Sequence, residues 1–204
     1  GKKSFWSLDL TVTEDTLIPR PETELIFELV LKKKFTKNDL KILDLGTGSG
    51  AIALAIASEK PHWHVDAVDI SIKALDVARK NAKNLKINNI NFIQSNWFLN
   101  IRDRYDVIVS NPPYLSENDP YLLGDIRYEP IHALVAKDNG LEALNILAQE
   151  TKNYLKPEGL ILLEHGCQQG EVVRILLQKN GFSEIETLCD LENRERVTTA
   201  RMQN

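Results

Sequence analysis

At 204 residues with 43% hydrophobic content, the chain is long enough for one α/β domain with a sizeable core and short of two. A net charge of −4 at pH 7 and a pI near 5.6 argue against the broad basic face that phosphate-backbone binding needs, so no direct contact with nucleic acid is expected. Cys167 and Cys189 lack C-x-x-C spacing, His62, His64, His132 and His165 fit no metal-ligand pattern, and no apolar run approaches the roughly 18 residues of a membrane span; a metal-free, soluble, cytoplasmic monomer is expected.

Trp6, Leu8, Leu10 and Val12 alternate, which predicts a half-buried strand or hairpin arm. Pro19-Arg20-Pro21 ends it, and from Glu22 the residues Leu25, Ile26, Leu29 and Val30 take helical spacing, with Lys32-Lys33-Lys34 at the favourable C-terminal end of the dipole. From Lys41 short apolar strands alternate with helices: Ile42 to Leu45, a helix from Ala51, His64 to Asp69, a helix from Ser71, and Asn91 to Gln94. Such alternation implies right-handed βαβ crossovers and a mostly parallel sheet with helices on both faces. Tyr105 to Ser110 reads as a central strand.

An irregular stretch from Asn111 to about Asn139 follows, and its Tyr114, Tyr121 and Tyr128 predict an ordered, ligand-facing loop. Beyond it the pattern predicts a helix over Leu141 to Leu155, a strand over Leu160 to Glu164, a helix ending near Asn180-Gly181, and last strands around Glu184 to Thr187 and Val197 to Met202. The division expected is a strand/helix extension over residues 1–38 packed on a catalytic domain over 39–204.

Asp44-Leu45-Gly46-Thr47-Gly48-Ser49-Gly50 falls where a strand meets a helix. Glycines there let the backbone turn tightly and approach a ligand, but the G-x-G-x-G spacing differs from the G-x-G-x-x-G that cradles a dinucleotide pyrophosphate. Asp44 suits a cationic or hydroxyl-rich ligand better than a phosphate. Asp69, ending the second strand, can accept both hydroxyls of a ribose or cap the helix that begins at Ser71. Glycine loop and acid together point to a nucleoside-bearing cofactor. Asn111-Pro112-Pro113-Tyr114 leaves the fourth strand at the carboxyl edge of the sheet; an Asn oxygen and a proline-fixed carbonyl can accept both protons of one NH₂ group, beside the flat face of Tyr114.

The N-P-P-Y tetrad with the D-L-G-T-G-S-G loop resembles the Rossmann-like class I methyltransferases, with a seven-stranded, mostly parallel sheet, that modify amide or exocyclic nitrogens. Leu17 to Glu24 (L-I-P-R-P-E-T-E), Gln94 to Phe98 (Q-S-N-W-F), Tyr128-Glu129-Pro130, and Leu163 to Gly166 (L-E-H-G) narrow the resemblance to the release factor glutamine methyltransferase family, over Phe5 to Arg201. The resemblance implies S-adenosyl-L-methionine as cofactor and, as reaction, N5-methylation of the glutamine in the Gly-Gly-Gln motif of class-I peptide chain release factors. It implies a cofactor site of Asp44, Gly46, Thr47, Gly48, Gly50, Asp69, Ile70, Trp97 and Asn111, with Arg20 and Thr23 closing over the methionine end. It implies a substrate site of Asn111, Pro112, Pro113, Tyr114 and Glu129, with Asn111, Pro112 and Tyr114 carrying the chemistry. The family's helical N-terminal docking domain is expected to be absent from this chain, and Asp138-Asn139-Gly140-Leu141, where relatives often read D-G-L or D-S-G, is expected to be harmless. The competing reading is an N6-adenine methyltransferase acting on DNA or RNA, since the same tetrad can hold the amine of a flipped base.

Overall fold

The computed structural model describes residues 1–202. It opens with a hairpin, β1 (Lys2–Phe5) and β2 (Leu8–Thr11), paired antiparallel with Phe5 opposite Leu8. Phe5, Leu8, Leu10 and Val12 are buried, as alternation requires. Trp6 departs from the expected pattern: it occupies the turn at φ 52° and is 43% exposed, its indole nitrogen donating to Glu59 at 3.1 Å. A two-residue turn needs a left-handed residue, and that need overrides the period of two.

After the 3₁₀ turn Pro21–Thr23 comes helix α1 (Glu24–Lys32), which buries Ile26, Phe27 and Val30. The main sheet then builds from β3 (Lys41–Leu45), β4 (His64–Asp69), β5 (Ile90–Gln94), β6 (Tyr105–Ser110), β7 (Leu155–Glu164), β8 (Phe182–Cys189) and β9 (Glu195–Met202). Their order across the seven-stranded sheet is β5-β4-β3-β6-β7-β9-β8, parallel from β5 through β7, with β9 antiparallel to both neighbours.

The central strands are apolar throughout because both faces are covered. Ile42, Val107, Val109 and Leu162 face a core shared with the hairpin, α1 and helix α2 (Ala51–Glu59). Leu43, Ile108, Ile161 and Leu163 face the opposite core, under helices Glu142–Glu150 and Gly170–Lys179. Truncating one of these side chains to Ala would cost about 2 to 5 kcal/mol. Helix α3 (Ile72–Leu85) starts at Ser71, whose hydroxyl accepts the Ala74 N–H at 3.2 Å. Its buried Asn81 donates to the carbonyls of Thr11 and Ser49, both at 3.0 Å, and accepts the Thr11 N–H at 2.8 Å. One side chain thus moors the hairpin to the glycine loop.

The predicted helix to Leu155 stops earlier. The α-helix ends at Glu150, tightens into a 3₁₀ turn over Thr151–Asn153, and Leu155 already begins β7. Leu155 has helical spacing in sequence, yet its buried place beside Tyr105 of β6 decides for strand. The stretch from 111 to 139 is ordered by the 3₁₀ turns Pro120–Leu123, Asp125–Tyr128 and Ile131–Ala133 and by a parallel bridge between Leu115 and Val135. Tyr121 and Tyr128 are 75% and 71% exposed at its surface.

Candidate active site

A cavity of about 280 Å³ opens at the carboxyl ends of β3, β4 and β6, where the parallel strand order reverses direction. Its floor is the glycine loop. Gly46 and Gly48 take φ of 76° and 56°, and a Cβ on Gly48 would meet nothing within 4 Å, so the backbone lies open to the cavity. A Cβ on Gly46 would lie 3.9 Å from both the Asn111 carbonyl and the Trp97 ring, an ordinary contact, so it is the left-handed φ rather than space that calls for glycine there. Gly50, at φ 86°, serves helix packing instead: a Cβ there would strike Leu54 at 2.9 Å.

Asp69 lines the cavity, and the cap of α3 is Ser71 rather than Asp69. The Asp69 Oδ1 accepts the Ser71 N–H and its Oδ2 the Gly48 N–H, each at 2.9 Å, so it ties the glycine loop to the turn that enters α3. A carboxylate has about four lone-pair sites, so capacity remains for ribose hydroxyls. Burial raises its pKa, against the pull of those N–H groups and of His132 on the opposite wall. Asp44 lies fully buried behind the loop. Burial pushes it up to about 7, opposed by the Thr47 hydroxyl, which donates to it at 2.7 Å, and by the Ala53 N–H, while nearby Asp69 pushes it further up. Its Oδ1 has no hydrogen-bond partner of good geometry among the described residues. A buried acid and a half-buried one beside a bared backbone suit a ligand that is cationic at one part and rich in hydroxyls at another.

The tetrad follows β6 directly. Asn111 and Pro113 line the cavity. The Asn111 Nδ2 donates to the Thr23 hydroxyl at 3.0 Å, so its Oδ1 is the atom left for a ligand. Tyr114 turns inward, its hydroxyl donating to Glu164 at 3.2 Å. Burial pushes the Glu164 carboxyl up to about 7, opposed chiefly by Thr23, Arg196 and Tyr114. Behind the tetrad the backbone carbonyl of Tyr114 accepts Gln169 Nε2 at 3.0 Å, and Gly140 packs so closely that a Cβ would lie 2.1 Å from that oxygen. Asp138, Asn139 and Gly140 run through left-handed φ of 54°, 54° and 85°. Asp and Asn tolerate that region better than most side chains, which gives the D-N-G variant a physical basis.

The cavity thus gathers Gly46, Gly48, Asp69, Ile70, Trp97, Asn111 and Pro113 from the predicted set. Asp44, Thr47 and Gly50 of the loop and Pro112 and Tyr114 of the tetrad are outside the lining, and Thr23 backs the tetrad through its bond to Asn111. Arg20 and Glu129 are outside the lining because they bind each other, with Glu129 also accepting the Ile18 N–H at 2.8 Å. Residues not anticipated also line it: Asp15, Thr16 and Leu17 before the proline turn, Ser95 and Asn96 before Trp97, and His132 with Ala133 after the Y-E-P triplet. Each adjoins a recognised motif, which is the signal that could have found it. His165 is structural, its ring nitrogens bonded to the Gly166 carbonyl and the Thr198 hydroxyl. Among the described residues no cluster of metal-ligand type occurs, and no helix is long and apolar enough to cross a membrane.

Comparison with known proteins agrees with this geometry. Residues 23–124 match the family model described as methyltransferase small domain. The chain is 48% identical over 202 residues to the release factor glutamine methyltransferase of Coxiella burnetii, covering 98% of this chain and 73% of that protein. It is 46% identical over 203 residues to the enzyme of the same name from Escherichia coli K12, with coverage of 98% and 73%. A crystal structure of a methyltransferase from Pyrococcus furiosus superposes with a TM-score of 0.72 at 20% identity, covering 98% of this chain and 91% of that one, which shows the class I methyltransferase fold. The chain belongs to the release factor glutamine methyltransferase family.

Proposed function

We propose that this chain transfers a methyl group from S-adenosyl-L-methionine to the N5 nitrogen of the glutamine in the Gly-Gly-Gln motif of class-I peptide chain release factors, as a cytoplasmic monomer without metal. The observation that carries the reading is the Asn111 amide, anchored through its nitrogen to Thr23 at the edge of a cavity floored by the glycine loop.

When bound, the cofactor supplies an electrophilic methyl on a sulfonium. Asp69 would hold its ribose, the loop from Gly46 to Gly48 its methionine part, and Trp97 and Ile70 the adenine end; the acids Asp44 and Asp69 favour a cation. An amide nitrogen is a weak nucleophile because its lone pair is delocalised, so orientation carries much of the catalysis. The Asn111 oxygen and the Pro112 carbonyl would accept the two amide protons and aim the nitrogen, an effect worth about 7 to 11 kcal/mol at best. Tyr114, held by Glu164, would pack on the amide plane. The amide proton leaves after transfer, so no dedicated base is required.

An adenine methyltransferase would use the same tetrad, but the net charge of −4 does not favour a polyanion. Labelled-methyl transfer from the cofactor to purified release factor, to DNA and to tRNA tests the reading. Label in the release factor alone supports it, and label in a nucleic acid contradicts it.

A further inference from the structure

Glu164 ends β7 one position beyond Leu163, the partner of Ser110 in β6, so the sheet sets it beside Asn111. It is 1% exposed. A buried carboxyl is costly unless its neighbours hold it. Its Oε1 accepts the Tyr114 hydroxyl at 3.2 Å, the Thr23 hydroxyl and the Arg196 guanidinium face the same group, and Oε2 has no hydrogen-bond partner of good geometry among the described residues. Thr23 in turn accepts Asn111 Nδ2 at 3.0 Å.

The two ends of an Asn amide are nearly the same shape, so packing alone does not choose between them; a neighbour's proton must. A hydroxyl carries one proton. Where Glu164 is ionised, above about pH 7, and Thr23 gives that proton to the carboxylate, Thr23 can only accept from Asn111, and the amide nitrogen turns toward Thr23 while the oxygen is left for a ligand. A Gln at position 164 could present its NH₂ group to Thr23. The hydroxyl proton would then be free for the Asn111 oxygen, and the amide would reverse, setting NH₂ against the NH₂ of a substrate.

We propose that Glu164 is a positioning residue: through Thr23 it fixes which end of the Asn111 amide meets the substrate nitrogen, and it holds the ring of Tyr114 beside it. The proposal rests on the methyl-transfer reading of the site.

The test compares wild type with Glu164→Gln, Thr23→Val, Thr23→Ser and the Glu164→Gln/Thr23→Val double variant, using release factor and S-adenosylmethionine. Glu164→Gln and Thr23→Val should each lose about 10²-fold in kcat/KM for release factor, the scale of a misplaced reacting group, with cofactor Kd nearly unchanged. The double variant should be no slower than the worse single, because both break one chain of bonds, and Thr23→Ser should retain most of the rate. Multiplying losses, or Glu164→Gln within about threefold of wild type, overturn the proposal. Should Glu164→Gln fail to fold, the Thr23 pair decides: Val as fast as Ser overturns it. A readout independent of turnover is the side-chain amide signals of Asn111 by NMR, assigned by their loss in Asn111→Asp. Glu164→Gln should shift both protons, and unshifted signals overturn the proposal. If those signals move while wild type leaves release factor unmethylated, the coupling of Glu164 to Asn111 stands and the assigned substrate falls.

Discussion

Glu129 binds Arg20 across 109 positions of sequence, and its other oxygen takes the Ile18 N–H at 2.8 Å. The pair ties the segment leading into α1 to the loop after β6, and both segments send residues into the cavity wall, Asp15 to Leu17 from one and His132 to Ala136 from the other. The Glu129 side chain is only 6% exposed, against 34% for Arg20. Glu129→Ala should therefore cost about 1 to 3 kcal/mol of stability and speed cofactor release, with Glu129→Gln milder. Thermal melts and stopped-flow dissociation check this; unchanged release would mean that the pair does not keep the cavity closed.

On the proposed role of Asp69 at the cofactor ribose, Asp69→Ala should lose a charge-assisted contact worth about 1.5 to 3 kcal/mol, roughly 10- to 150-fold in affinity. It also frees the N–H groups of Gly48 and Ser71, so the melting temperature should fall with it. Calorimetric Kd values with and without the substitution decide it, and an intact affinity would reduce Asp69 to a tie between the glycine loop and the turn into α3.

Burial raises Asp44 and Glu164 to about 7 in the folded chain, from ordinary values near 3.8 and 4.5. The folded state then holds more protons than the unfolded one between about pH 4 and 7, so this part of stability is present below that window and lost as pH rises through it. Glu164 is faced by Tyr114, Arg196, Thr23 and Glu22, none of which reverses that direction. Glu164→Gln should flatten the fall in melting temperature from pH 5 to pH 8, and an unchanged slope would place the ionisation elsewhere. A cationic cofactor favours ionised Asp44 and Asp69, so its affinity should rise with pH through about 7, more steeply than that of its demethylated product, which lacks the sulfonium. Calorimetry in buffers of different ionisation enthalpy would show the released proton.

Gly140→Ala adds a Cβ 2.1 Å from the Tyr114 carbonyl at a φ of 85°. Either clash or strain moves the tetrad, so stability should drop by more than about 1 kcal/mol and kcat should fall with it. A variant with wild-type melting and turnover would show that the tetrad does not lean on this turn.

The glycine loop, Asp69 and the N-P-P-Y tetrad were legible because each is local chemistry: a turn that needs bare backbone, an acid at a strand end, an Asn fixed by prolines. The mostly parallel sheet was equally readable from the alternation of strand and helix, but the order of its strands was not, because alternation does not say which strands are neighbours. Glu164 was quoted only as part of L-E-H-G, because its meaning comes from Thr23 and Tyr114, 141 and 50 positions away, which the sheet brings to it. Arg20 and Glu129 entered the expected site only through the family resemblance, and no local signal shows that they bind each other, because 109 positions of sequence separate them. The aromatic content of the loop did not show which of its residues line the cavity: Pro113 and His132 do, while Tyr121 and Tyr128 stand at the surface.

The proposed function stands or falls with Asn111 as the group that orients the glutamine nitrogen for methyl transfer. Single-turnover reactions of wild type, Asn111→Ala and Asn111→Asp with release factor, read by mass spectrometry of the Gly-Gly-Gln peptide, decide it. Wild type should add one methyl to the glutamine, Asn111→Ala should lose about 10²- to 10³-fold in rate at nearly unchanged cofactor Kd, and Asn111→Asp, which keeps an acceptor, should lose less. An unmodified glutamine with wild type, or Asn111→Ala within about threefold of its rate, would contradict it.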